Sequence, residues 1–254
     1  MFFPLKDHNP TRRQPVVTWA LMAVNFAIFF YEILQGSGLG DFIACWGATP
    51  YELTHFTDLV GRFQAAPQVN HTPGPAFLPM TAISSMFLHG GWLHLLFNMH
   101  FLWIFGNNVE DLLGPARFFG FYLVTGLVGL ATHVFSDPDS VIPTVGASGA
   151  ISGVMGAYLV AFPRARVTSL LVLGFFIQFL EVRAVLLIGF WIAIQIALGL
   201  VGLGVSAGGG TAYWAHIGGF VAGWIGIRWV ARTQLAQRTW VNAWPQAKRS
   251  TFRP

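Results

Sequence analysis

A chain of 254 residues that is 54% hydrophobic, 15% aromatic and only 9% charged is not an ordinary soluble domain, in which about a quarter of residues carry charge. Its formal net charge of +4 does not point to nucleic acid, because the basic residues lie between and after the apolar runs instead of forming a patch. The single cysteine, Cys45, excludes an intrachain disulfide framework and a cysteine-based metal site.

Six apolar segments read as membrane-spanning helices, at residues 16–34, 94–106, 118–135, 148–162, 184–203 and 213–230. The pattern predicts an all-α, polytopic membrane protein. A span needs roughly 20 apolar residues, so the second and fourth segments are short. The first is too long for the apolar core of a signal peptide and lacks a small-residue cleavage site, so it reads as a retained anchor. The apolar run 169–180 reads either as an interfacial linker or as an extension of the fifth helix. The long connection 36–91 holds turn signals such as Thr49-Pro50 and Thr72-Pro73-Gly74-Pro75. It is also rich in Phe, Trp and Leu, and reads as packed on the bilayer interface.

The charges set the sidedness. With both termini in the cytoplasm, every Lys and Arg except Arg62 falls on the inner side, as the positive-inside rule requires. The chain then divides into a cytoplasmic segment 1–15, a six-helix membrane domain 16–230 and a basic cytoplasmic tail 231–254. In the tail, Trp240 and Trp244 read as an interfacial anchor. The predicted location is an inner membrane of bacterial type.

Polar residues inside apolar spans are costly and are read as functional. Ser148, in Gly146-Ala147-Ser148-Gly149, opens the fourth segment, and His216, in Ala215-His216-Ile217-Gly218-Gly219, sits near the start of the sixth. From Ser148 to Phe162 a helix is only about 22 Å long, so Ser148 is recessed below the outer surface. The two residues lie at comparable depth. Gly149-x-x-x-Gly153 and Gly219-x-x-x-Gly223 have the spacing of closely packed membrane helices, and their contact brings the hydroxyl to the imidazole that can activate it. His94 and Asn98 are four apart on one face of the second helix, and both can donate hydrogen bonds to a developing oxyanion. His89, His94 and His100 step by five and six, do not share a face, and lack the glutamate of H-E-x-x-H, so no metal is expected. His89 reads as facing the mouth of the cavity or as structural. Gly146-x-Ser148-x-Ala150 nearly matches a soluble nucleophile elbow, but no parallel-sheet pattern surrounds it.

Together the Gly146–Gly149, Ala215–Gly223 and His94–Asn98 motifs resemble the rhomboid family of intramembrane serine proteases, over residues 16–230. The resemblance implies a serine endopeptidase without cofactor or third acidic residue, Ser148 being the nucleophile and His216 its base. It also implies an oxyanion hole of His94, Asn98 and the Ser148 amide. The substrates it implies are single-span membrane proteins, cut near the outer end of their helix in the bilayer. The sequence departs from some bacterial members at Ser152, where they carry a tyrosine that packs on the base, so the support of the His216 ring is left open. The alternative is an inactive relative that binds transmembrane helices; a transporter would predict charges within the spans.

Overall fold

The computed structural model describes residues 2–64, 66–173, 176–202 and 211–232. Most of the basic tail, with Trp240 and Trp244, and the expected end of the fifth helix at Leu203 lie outside the described residues. Strand β1 (Phe2–Asp7) leads into helix α1 (Val16–Leu34). The connection 36–91 folds as α2 (Leu39–Trp46), α3 (Pro50–His55), a hairpin of β2 (Gly61–Phe63) and β3 (Ala66–His71), and the single turn α4 (Thr81–Ser84). Then come α5 (Trp92–Leu113), α6 (Pro115–Ser136), α7 (Ser148–Ala161), β4 (Arg166–Leu173), β5 (Phe176–Arg183), α8 (Ala184–Val201) and α9 (Tyr213–Val230).

Three of these helices, α1, α6 and α8, are long and apolar enough to cross a membrane. Helix α7 is apolar but has only 14 residues, whereas α5 and α9 reach the length and are diluted by polar residues and glycines. Large apolar side chains stand exposed on the outer faces, among them Phe30, Trp103, Leu186, Phe190 and Trp229. Contiguous apolar surface of this kind is not left in water.

Two expectations need correction. The second helix is not short: α5 runs for 22 residues, because the polar residues that looked like its end are satisfied by the protein itself. Asn108 Oδ1 accepts from Asn9, its Nδ2 donates to Asp7 at 2.6 Å, and Glu110 accepts from the first turn of α1. Nor is the fold purely helical. Within the run 169–180, residues 169–173 and 176–180 are neither linker nor helix but paired strands of an antiparallel hairpin, with Arg166 opposite Arg183 and Leu173 opposite Phe176. β1 adds to its edge to make a sheet in the order β1-β4-β5. Pro163 ends the preceding helix, and the Val, Leu, Phe and Ile that follow suit a pleated surface better than another helix.

At the junction of α5 and α6, Gly114 adopts φ 80° and Pro115 takes the first helical position. Glycine tolerates that backbone and proline has no N–H to lose there. Helix α7 is the centre of the bundle: every residue from Gly149 to Tyr158 is buried. It lies against α9 with almost no side chain between them. A Cβ on Gly219 would collide with the carbonyl oxygen of Gly149, and one on Gly223 with that of Gly153. The four glycines read from the sequence therefore form one backbone-to-backbone contact, the closest approach two helices can make.

The connection 36–91 is tied to the segment before α7. Ala48 and Thr144 exchange backbone hydrogen bonds at 3.0 and 2.9 Å, and Gly146 N–H donates to the Ser85 carbonyl at 2.8 Å. The loop thereby fixes the approach of the chain to Ser148.

Candidate active site

Ser148 is the first residue of α7, so its N–H has no partner in the ladder of that helix. Two residues earlier Gly146 has φ 125°, and a Cβ there would lie 2.7 Å from His94 Nε2. Glycine is required both for the turn and for the room the imidazole takes. Ser148 is half-buried and lines a small cavity with Met86, Gly126, Thr144, Gly146 and Ala212.

Ser148 Oγ stands 2.8 Å from His216 Nε2. The other ring nitrogen, Nδ1, lies 2.7 Å from Gln195 Oε1 of α8, with His216 and Gln195 both buried. A carbonyl oxygen only accepts, so Nδ1 carries the hydrogen, and in the neutral ring Nε2 is left as the acceptor for the serine hydroxyl. Trp191, one turn before Gln195, packs at a tilt against the same ring, 5.8 Å between centroids.

The place of the missing tyrosine is quiet. Ser152 donates to the Ser148 carbonyl at 2.6 Å, within its own helix. The support of the His216 ring comes from α8 instead. Sequence reasoning missed Gln195, although the signal was present: it is the one amide in Ala184–Val201, a run otherwise made of apolar residues and glycine. Attention to charged residues within spans passed over a neutral one.

His94 accepts the Gly90 N–H on Nδ1 at 3.4 Å, a long bond that leaves Nε2 as the donor, next to the space a Gly146 side chain would take. Asn98, one turn further along α5, is buried, and its Nδ2 has no hydrogen-bond partner among the described residues. A buried amide donor without an acceptor is uncommon in a folded protein.

The remaining histidines disperse. His89 is 1% exposed and does not face a cavity mouth; its ring packs edge-on to Phe29 and His94. Its backbone N–H donates to the Glu32 carboxylate at 3.2 Å. His100 is bonded to the Pro4 carbonyl at 2.6 Å and stacked on Phe3, beside the sheet. Among the described residues no three His, Cys, Asp or Glu side chains come together as metal ligands.

The fold and the site define a helix-rich membrane protein with a paired serine and histidine among its helices. The sequence pattern of the Rhomboid domain matches residues 79–232, more than half of the chain, and the chain belongs to the rhomboid family. It is similar to Rhomboid protein 1, mitochondrial, of Saccharomyces cerevisiae, 27% identical over 155 residues, which are 59% of this chain and 38% of that protein. It is similar to Rhomboid protease GluP of Bacillus subtilis, 33% identical over 148 residues, 58% of this chain and 24% of the relative. A third relative is RHOMBOID-like protein 6, mitochondrial, of Arabidopsis thaliana, 35% identical over 141 residues, 56% of this chain and 40% of the relative. The chain thus spans less than half the length of each of these relatives.

Proposed function

We propose that this chain is an intramembrane serine endopeptidase that works through Ser148 and His216. The observation that carries the reading is the 2.8 Å contact between Oγ and Nε2, with the opposite ring nitrogen already committed to Gln195. The serine oxygen attacks a peptide carbonyl while Nε2 takes its proton. The tetrahedral oxyanion is met by the Ser148 N–H and the unpaired Asn98 Nδ2, with His94 Nε2 beside them. The imidazolium then returns its proton to the leaving amine, and an acyl-enzyme on Ser148 remains. Water, deprotonated by His216, attacks that ester; the acid leaves as His216 gives the proton to Ser148 Oγ, restoring the resting pair. These steps use only groups of this chain and water.

In this reading α1 and α5 to α9 are six spans of one protease domain, residues 16–230, with both termini on the cytoplasmic side of a bacterial-type inner membrane. The distribution of Lys and Arg supports the orientation. The recessed hydroxyl supports membrane-embedded substrates: single-span proteins opened near the outer end of their helix.

The test is labelling of the detergent-purified protein by a fluorophosphonate, beside Ser148→Ala and His216→Ala. Labelling of the wild type and of neither variant is expected, together with cleavage of a single-span reporter by the wild type alone. Cleavage retained in Ser148→Ala overturns the assignment. A folded wild type that is neither labelled nor active points to a binder of transmembrane helices.

A further inference from the structure

Gln195 is the one strongly polar side chain of α8, and it is 8% exposed. An amide placed in an apolar span is unfavourable unless its hydrogen bonds are met. The contact that accounts for its position is the 2.7 Å approach of Oε1 to His216 Nδ1. Removing that acceptor leaves the neutral imidazole free to carry its hydrogen on either nitrogen. With the hydrogen on Nε2 the ring cannot take a proton from Ser148.

We infer that Gln195 is a positioning residue for the reaction, holding His216 in the tautomer and orientation that keep Nε2 facing Ser148; the inference rests on the Ser148–His216 reading above. The amide does through its dipole what a carboxylate does in soluble serine hydrolases. It also steadies the imidazolium that forms in the first step, without placing a permanent charge among apolar helices. Trp191 on the same helix presses on the same ring, so α8 supplies both the acceptor and the packing that fix the base.

The experiment compares Gln195→Met and Gln195→Glu with the wild type and Ser148→Ala. The readouts are the second-order rate of fluorophosphonate labelling and thermal melting in detergent. Methionine keeps the length of the side chain and lacks the acceptor, whereas glutamate keeps the acceptor and adds a charge. A positioning role predicts that Gln195→Met melts like the wild type but labels at least about tenfold more slowly, since the wrong tautomer costs about 10⁴ in a soluble triad. It predicts that Gln195→Glu labels faster than Gln195→Met despite lower stability. A packing role predicts the reverse order. Labelling of Gln195→Met at the wild-type rate, or slower labelling of Gln195→Glu than of Gln195→Met, overturns the inference and leaves Ser148 as the nucleophile. If the folded wild type is not labelled at all, the underlying reading fails and this inference with it. Should Gln195→Met not purify folded, Gln195→Glu decides alone: a rate below about a tenth of wild type overturns the inference.

Discussion

Glu110 Oε2 accepts both the backbone N–H and the hydroxyl of Thr18, each at 2.7 Å. Its Oε1 accepts the Val17 N–H at 2.9 Å. The residue at the N-cap of α1 is Pro15, which offers no side-chain cap, so a carboxylate from another helix satisfies the free N–H groups of the first turn. It also places negative charge at the positive end of the helix dipole. α5 in this way grips the start of α1.

Glu110→Ala leaves those donors unpaired in a buried setting. A loss of about 2–3 kcal/mol is expected, read as a lower melting temperature in detergent, with Glu110→Gln between the two. An unchanged melting temperature would mean that α1 is held by its other contacts.

Asn98 invites the opposite experiment. Its buried Nδ2 has no partner in the resting protein, so Asn98→Ala removes an unsatisfied donor and should not lower stability. If that donor meets the oxyanion, the same change slows cleavage of a single-span reporter by about 10²–10³ in kcat, with KM little altered. Lost stability together with a normal kcat would mark Asn98 as structural.

The α7–α9 contact is the most sensitive packing site described. Gly223→Ala drives a methyl group into the Gly153 carbonyl oxygen, where neither backbone can give way. Overpacking of this kind costs about 1–3 kcal/mol or more. Gly189→Ala, with nothing within 4 Å of the new carbon, is the matched control. Melting curves of the two variants should separate clearly; coincident curves would show that the helices can part without penalty.

The residues that meet at the Ser148–His216 contact and their glycine faces were legible in the sequence because each depends on local spacing: Ser148 on the helix break before it, and Gly149, Gly153, Gly219 and Gly223 on a one-turn repeat. The helix ends were mostly legible for the same reason, down to Tyr213 and Val230 at the two ends of α9. What was not legible depends on partners far away in the chain. The polar residues Asn108 and Glu110 look like the end of a span until Asn9, Asp7 and the start of α1 are beside them. The stretch 169–173 has no alternation, since Leu170, Leu171, Val172 and Leu173 are apolar in succession, and it becomes part of a strand only with β1 and β5 on either side. Gln195 is a single neutral residue whose meaning appears only when His216 is brought against it.

The pairing of β1 with β4 has a consequence for how the molecule is made. Phe2, Phe3, Pro4 and Lys6 find their strand neighbours only at Leu171, Leu170, Ser169 and Thr168. Asp7 accepts the hydroxyl of Tyr158, near the end of α7, at 2.9 Å. During synthesis the first strand therefore waits, an open edge without its neighbour, until four helices of the bundle, α1 and α5 to α7, and strand β4 have emerged. Its closure is a long-range step that local helix formation cannot hasten. A nascent chain halted after Ser136 would keep that edge available to other strands, whereas one carried past Leu173 would have sealed it with its own.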